Sequence, residues 1–518
     1  MLARQLIPKI RKILLIEPPN NLFVGFNATV LVEPLGLEYI AGSISDLADV
    51  KIHDMRVDSK PLKEVLYECQ PDLVGIKEGY TVDVQSVKEV ARQVKEINPD
   101  ALVVVGGHHV SLSPQDAFTK DIDAIVIGDG EDVFREMVEK VNRYGDLSQV
   151  QRYAMIINND ISYRIRRFIS RDEWESDPSK IFPLKAAVGR ENKPGCPIAI
   201  SRRETDSLYM NSRPKPLRAL VDGYRKFYHF LYHISPFSIE TTKGCQYRCS
   251  FCSVWVFHTG EHKEQSVYRT MEDLASLPPN SWVNLVDDLA FQYPATAMQF
   301  AKEVTQLNCG HRFWAQVRAD NVVRHPKEFE ALASAGLDTV LIGLESVSQK
   351  ELNEYRKGSK VDDNLKAISF LKSLGVRIWG TLMVRPSWTE DDFKELEEFV
   401  YSTGIDYPNY TIHTPLPGTP DYKLYQEQLI TENPTLFDFL HTVMQPKLKP
   451  QDFYEKFASL WRTVGEGGLG RVRGMVQEVS TSRDSVIRFL KQYKTLSKVE
   501  TYQRGIELLE RHGSEAKA

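Results

Sequence analysis

Short apolar runs alternate with helical periodicity over the first 145 residues. Lys12-Ile-Leu-Leu-Ile16, Val50-Lys-Ile-His53, Asp72-Leu-Val-Gly-Ile76, Ala101-Leu-Val-Val-Val105 and Ala124-Ile-Val-Ile127 read as strands. Between the third and fourth, Val84, Val87, Val90, Ala91, Val94 and Ile97 recur on one helix face. Strand–helix–strand alternation predicts a doubly wound parallel sheet. Ligands of such sheets bind at the C-terminal strand ends. The loops there read Pro18-Pro19-Asn20-Asn21, Glu78-Gly79-Tyr80-Thr81, Gly106-Gly107-His108-His109 and Gly128-Asp129-Gly130-Glu131. Glycine pairs after a strand let a ligand approach the backbone. Tyr80, Thr81, Gly106, Gly107, His108, Gly128 and Glu131 are therefore candidate contacts.

Periodicity fades between residues 146 and 232. Asp160 to Arg171 reads as strand or irregular chain, and Ser176 to Pro216 as loop. Tyr224 to His233 then sets aromatics among basic residues. A strap on the core is the first reading, since aromatics dominate burial. A strip touching a membrane surface is the second.

From 233 to 425 six further runs read as strands, mostly with helices between. They are Phe237–Glu240, Trp282–Val286, Arg312–Val317, Thr339–Gly343, Arg377–Val384 and Asn409–His413, and Asp362 to Leu374 is one of the intervening helices. Residues 426 to 518 read as a helical segment, with helices over Asp452–Val464 and Asp484–Arg511. Gly465 to Gly470 matches G-x-G-x-x-G by letter, but it follows a helix and has no strand ahead of it, so it reads as a link.

At 518 residues the chain exceeds one comfortable core, which implies two or three domains. The divisions fall at 1–145, 146–232, 233–425 and 426–518. A formal net charge of −5 gives no nucleic-acid footprint. No apolar run approaches the length of a transmembrane helix. Arg4, Lys9, Arg11 and Lys12 ahead of Ile13-Leu-Leu-Ile16 superficially resemble a secretion signal. The apolar part is too short, and Glu17-Pro18-Pro19 stands where a cleavage site would be, so the stretch reads as a first strand. The expected location is cytoplasmic, with membrane association as the variant the aromatic strip would bring.

Three of the six cysteines lie within eight residues: Cys245, Cys249 and Cys252, spaced C-x3-C-x2-C. They fall on the loop leaving the first strand of the second half. Three thiolates on one loop suit three irons of a [4Fe–4S] cluster and leave the fourth iron open. A zinc knuckle completed by His258 is the rival. A disulfide is weaker, because such spacing without a secretion signal points to metal or catalysis. Cys69, Cys196 and Cys309 stand alone and read as small buried hydrophobes.

With Phe251 just before its last cysteine, the motif resembles that of the radical S-adenosylmethionine (SAM) superfamily. The resemblance implies a partial (β/α)6 barrel with chemistry at the C-terminal strand ends. It implies that SAM chelates the open iron. It assigns Phe251 to the adenine, Asp287 or Asp288 to the SAM ammonium, Arg318 to its carboxylate, and Glu345 or Ser346 to the ribose. Gly380 inside a strand suggests close approach by a ligand.

Gly106-Gly107-His108, Gly128-Asp129-Gly130-Glu131 and Val32 to Glu38 make the first domain resemble the cobalamin-binding domain found ahead of many radical SAM cores. D-x-H-x-x-G is absent, which implies cobalamin without a histidine below cobalt. A flavodoxin-like domain holding a nucleotide, or nothing, is the alternative. Within this class the chain resembles the hopanoid C-3 methylase family through Glu33 to Glu38, Ser238-Ile-Glu240, Phe251 to Trp255, Val286 to Phe291 and Leu436-Phe-Asp438. Departures lie around Val254 to His262 and in the connector.

That resemblance implies methylation of an unactivated carbon on a polycyclic lipid. One SAM would be cleaved to a 5′-deoxyadenosyl radical and another would remethylate cobalamin. A reducing partner such as flavodoxin or ferredoxin follows from it. Three rivals stay open: a ring-forming cyclase acting on a lipid or tetrapyrrole, a methylthiotransferase, and an iron–sulfur or cobalamin sensor. The scattered remaining cysteines offer no second cluster for the methylthiotransferase.

Overall fold

The computed structural model describes residues 7, 9–19, 29–145, 147, 150, 154–156, 168–170, 209–466 and 482–515. Cys196, Asn20, Asn21, most of the loop expected over 176–216, most of the 160–171 stretch and Gly467 to Gly470 lie outside the described residues. The chain divides into two compact units. The first comprises Met1–Asn21, Glu33–Ala199 and Ser212–Arg225, and the second Leu22–Val32, Ile200–Asn211 and Lys226–Ala518. The stretch 146–232 is thus shared between the units, and the C-terminal helices belong to the second.

The first unit holds strands β1 (Lys12–Glu17), β2 (Asp49–Asp54), β3 (Leu73–Lys77), β4 (Leu102–Gly106), β5 (Ala124–Val126), β6 (Ala154–Ile156) and β7 (Phe168–Ser170). Their order is β2-β1-β3-β4-β5-β6-β7. β1 to β5 are parallel, β6 runs antiparallel to β5, and β7 is parallel to β6. β1 is apolar throughout its centre because both its faces are covered; Ile13, Leu14, Leu15 and Ile16 are all buried. Helix Val84–Ile97 buries Val84, Val87, Val90, Ala91 and Val94, the face expected from the sequence. From β1 the chain passes to one side of the sheet and from β3 to the other. The topological switch point therefore lies between their C-terminal ends. There the Lys77 ammonium meets the Glu17 carboxylate at 2.8 Å.

In the second unit six parallel strands follow one another in sequence order. They are β8 (Phe237–Ile239), β9 (Trp282–Leu285), β10 (Arg312–Val317), β11 (Leu337–Glu345), β12 (Arg377–Val384) and β13 (Tyr407–Ile412). β8 and β13 are the two ends and do not pair, so the barrel is partial and open. β11 runs two residues past the expected Gly343, through a register shift between Gly343 and Glu345. Helices Pro450–Glu466 and Arg483–Leu496 add Phe453, Phe457, Trp461, Phe489 and Tyr493 to the barrel's core.

The aromatic strip packs as a strap. His229–Phe230 pairs with Val30–Leu31 and His233–Ile234. The Phe230 ring lies 5.0 Å from Trp282, 4.8 Å from Trp314 and 5.5 Å from Trp379. Tyr228, Phe230 and Tyr232 are buried, and Phe227 is half-exposed. Among the described residues no helix is long and apolar enough to cross a membrane.

Candidate active site

The three cysteines sit on the loop after β8, and the loop is clamped at both ends. On entry, the backbone N–H groups of Thr241 and Thr242 donate to Asp287 Oδ1 at 2.6 and 2.8 Å. Gly244 N–H donates to Asp288 Oδ2 at 2.8 Å. Thr242–Gly244 then pairs antiparallel with His262–Glu264. On exit, the Trp255 indole donates to the Cys249 carbonyl at 2.8 Å, Ser250 N–H to the Tyr355 carbonyl at 2.9 Å, and Asp421 N–H to the Ser250 carbonyl at 3.1 Å. The Phe251 ring stands edge-on to Tyr355 at 5.5 Å.

Cys249 is buried, and Cys245 and Cys252 are half-buried. Burial pushes the Cys245 thiol up to about 11 and the Cys252 thiol to about 12, and the nearby Cys249 raises both. Thiols crowded in poor solvent ionise readily only beside compensating positive charge, which is what iron supplies. The residues therefore fit a thiolate-held cluster, with one thiolate to each of three irons. Among the described residues no three ligand-type side chains are gathered to hold a single ion. His258, the fourth ligand a zinc knuckle would need, faces Asp288 at 3.4 Å.

Several expected SAM contacts are already engaged within the protein. Asp287 is almost wholly buried and spends its carboxylate on Thr241 and Thr242; burial pushes it up to about 7. Asp288, beside it, is the more exposed of the two carboxylates, with 29% of its side chain accessible. The Arg318 guanidinium donates to Asp320 at 2.8 Å and to the Lys357 carbonyl at 2.7 Å, and covers the Tyr247 ring at 3.6 Å. Glu345 accepts from the Lys357 ammonium at 2.7 Å, and the Ser346 hydroxyl donates to Glu351 at 2.5 Å. At Gly380 a Cβ would meet Leu344 Cδ1 at 2.9 Å and Ile405 at 3.3 Å, so core side chains already stand against this glycine.

At the switch-point edge of the first unit, the loops after β3, β4 and β5 are stitched together. Thr81 Oγ1 bonds His109 Nδ1 at 3.1 Å, and His109 Nε2 bonds Asp116 at 3.0 Å. The Ser111 hydroxyl donates to the Gly107 carbonyl at 2.6 Å and accepts Gly128 N–H at 3.0 Å. Gly106 accepts the Glu78 N–H at 2.8 Å. Gly107 has φ +137°, and a Cβ there would overlap the Glu78 carbonyl, so its first duty is to pass the neighbouring loop. Gly128, at φ +81°, has open space around it. Tyr80 is half-exposed, His108 half-buried, and Glu131 is buried 3.6 Å from Arg213. Glu78, His109, Ser111, Tyr355 and Lys357 were not singled out by the sequence. His109 and Glu78 stood in the quoted loops; Ser111, Tyr355 and Lys357 carried no spacing signal.

Residues 22–138 match the B12 binding domain, and residues 239–400 match the Radical SAM superfamily. The chain is a cobalamin-binding, radical SAM-fold enzyme. The B12-binding match takes in the glycine loops and the radical SAM match takes in all three cysteines. Hopanoid C-3 methylase of Methylococcus capsulatus is 26% identical over 446 residues, covering 85% of this chain and 78% of that protein. An uncharacterized methyltransferase of Pyrococcus horikoshii is 26% identical over 451 residues, covering 85% and 89%. The radical S-adenosylmethionine methyltransferase TsrM from Kitasatospora setae, solved with cobalamin and a [4Fe-4S] cluster, superposes with a TM-score of 0.65 at 15% identity. That superposition covers 95% of this chain and 99% of TsrM, and it speaks to the fold. In this fold the polar strand ends are mostly tied into the barrel.

Proposed function

We propose that this chain is a cobalamin-dependent radical SAM methyltransferase that places a methyl group on an unactivated carbon of a hopanoid-like or other lipid. The observation that carries the reading is a clamped three-cysteine loop on an open six-stranded barrel, in one chain with a B12-binding domain. Similarity to a hopanoid methylase over most of both chains supports the substrate class.

In this reading Cys245, Cys249 and Cys252 hold three irons of a [4Fe–4S] cluster. When bound, the reduced cluster and cobalamin supply SAM cleavage and the transferable methyl group, and the protein supplies position and solvent exclusion. Asp287 keeps the entry of the loop fixed, and the Tyr355 carbonyl and Trp255 indole fix its exit. Asp288 and Arg318 are the groups we assign to the SAM amino and carboxylate ends, Glu345 and Ser346 to the ribose, and Phe251 to the adenine side. The Gly107 and Gly128 loops, with Tyr80, Thr81, Gly106, His108 and Glu131, belong to the cobalamin side. A flavodoxin- or ferredoxin-like donor in the cytoplasm completes the scheme.

The test is an anaerobic assay with strong reductant, methyl-labelled SAM and a hopanoid. A methylase should form 5′-deoxyadenosine and S-adenosylhomocysteine in about equal amounts with each labelled product, since SAM serves twice. Deoxyadenosine formed on substrate, with no label in the product, would replace the methylase reading by the ring-forming one.

A further inference from the structure

β13 is the last strand of an open barrel, and its free edge needs a cover. Helices 450–466 and 483–496 supply it. Tyr410 stands edge-on to Trp461 at 5.1 Å, and Tyr407 edge-on to Phe489 at 5.9 Å. The cover leaves a cavity of about 50 Å³, whose wall includes Trp379, Asn409, Tyr410, Trp461, Gln492 and Tyr493. Asn409 and Tyr410 are successive strand residues and point to opposite faces. The cavity therefore draws its wall from both faces of the strand at its free edge and from the helical cover.

Trp461 and Gln492 each bring an unsatisfied polar atom to this wall. The Trp461 indole N–H and the Gln492 side-chain carbonyl are buried and have no hydrogen-bond partner among the described residues. Buried polar groups without partners are uncommon and ask for a reason. One is a donor and the other an acceptor. A hydroxyl answers both through a single oxygen. Water would do the same, but much of the surrounding wall is aromatic carbon, which suits an apolar skeleton better. Ligand pockets for whole small molecules run to roughly 300–1,000 Å³. This cavity is far smaller, so it takes the end of a molecule.

The same strand leads toward the cysteine loop. Two residues beyond Thr411, another residue of the cavity wall, the His413 ring lies 5.4 Å from Tyr355, which stands against Phe251. We propose that the cavity receives the hydroxyl-bearing end of an apolar substrate, with Trp461 donating to the hydroxyl oxygen and Gln492 accepting its proton. Calling the occupant the substrate rests on the function proposed above; the binding itself does not.

The test uses the cofactor-loaded full chain and two isosteric probes, 4-fluorobenzyl alcohol and 1-ethyl-4-fluorobenzene, followed by fluorine NMR titration. The alcohol should bind saturably and about five- to tenfold tighter than the ethyl compound, as a pair of satisfied buried groups implies. Trp461→Phe keeps the ring and removes the donor; Gln492→Leu removes the acceptor. Each should bring the alcohol down to the level of the ethyl probe. Equal affinity of the two probes for the wild type, or no binding of either, overturns the proposal without any variant having to fold. So does a preference for the alcohol that survives both variants, because the site is then elsewhere. No turnover is read, so failure here leaves the methyl-transfer test standing, and failure there leaves this site standing.

Discussion

Asp287 accepts both the backbone N–H of Thr241, at 2.6 Å, and its hydroxyl, at 2.5 Å. With Thr242 N–H at 2.8 Å, one buried carboxylate fixes the entry of the cysteine loop. Asp287→Ala leaves two backbone donors unpaired in a buried setting, at a cost of about 1–3 kcal/mol each. Asp287→Asn keeps one acceptor oxygen and should cost less. Iron retained after anaerobic reconstitution should fall in the order wild type, Asn, Ala, and the urea midpoint should fall with it. Full iron in the Ala variant would remove Asp287 from any role in holding the loop.

Gly107 and Gly128 should separate folding from cobalamin binding. A side chain at Gly107 collides with the Glu78 backbone and carries an unfavourable φ, so Gly107→Ala should unfold the first unit and lose cobalamin together. Gly128 has room for a side chain at a backbone cost of about 1 kcal/mol. Gly128→Leu should keep the melting temperature within a few degrees and yet retain less hydroxocobalamin. Unchanged retention in that variant would take the Gly128 loop out of the cofactor site.

The strands were legible because sheets covered on both faces write themselves as continuous apolar runs; β1 and β12 match their expected spans to within a residue. The sequence ends β11 at Gly343 because Glu345 and Ser346 look like loop residues, although the pairing with β12 carries through to Glu345. The three cysteines were legible because their spacing is local. The partners of the expected SAM residues were not, because Arg318 meets Lys357 from 39 positions away and Asp287 meets Thr241 from 46. A glycine in a strand says that something comes close, and only the fold says that at Gly380 it is Leu344 and Ile405.

Glu78 predicts sensitivity to alkali. Its carboxyl is fully buried, with neither oxygen hydrogen-bonded among the described residues, and burial beside Asp116 and Asp83 pushes it up to about 8 from an ordinary glutamate value. His109 Nε2 is 3.9 Å away. A carboxyl whose folded value lies above its unfolded one holds its proton more tightly when folded. Its neutral form then favours folding at low pH, and that advantage is lost as pH rises from the ordinary glutamate range through about 8. Glu78→Gln keeps the shape and cannot ionise. Its melting temperature should fall less than the wild type's between pH 6 and pH 9, over a range of about three pH units chosen to span that titration. Parallel curves would show that Glu78 does not control this dependence.

Lys357 and Glu345 should behave as one unit. Their side chains meet at 2.7 Å with less than a tenth of either exposed, and the Lys357 carbonyl also takes the Arg318 guanidinium. Lys357→Met leaves the Glu345 carboxylate buried without its cation, which costs about 3–5 kcal/mol. Glu345→Gln added to it removes the stranded charge and should restore most of that loss. Denaturant midpoints of the two single variants and the double variant measure the coupling. SAM affinity, read by equilibrium dialysis on reconstituted protein, separates structure from ligand contact. If Glu345 also holds the ribose, the double variant should regain stability while SAM binding stays weak. A double variant as unstable as Lys357→Met alone would mean that the loss does not come from a stranded Glu345 charge, and would overturn the pairing as its cause.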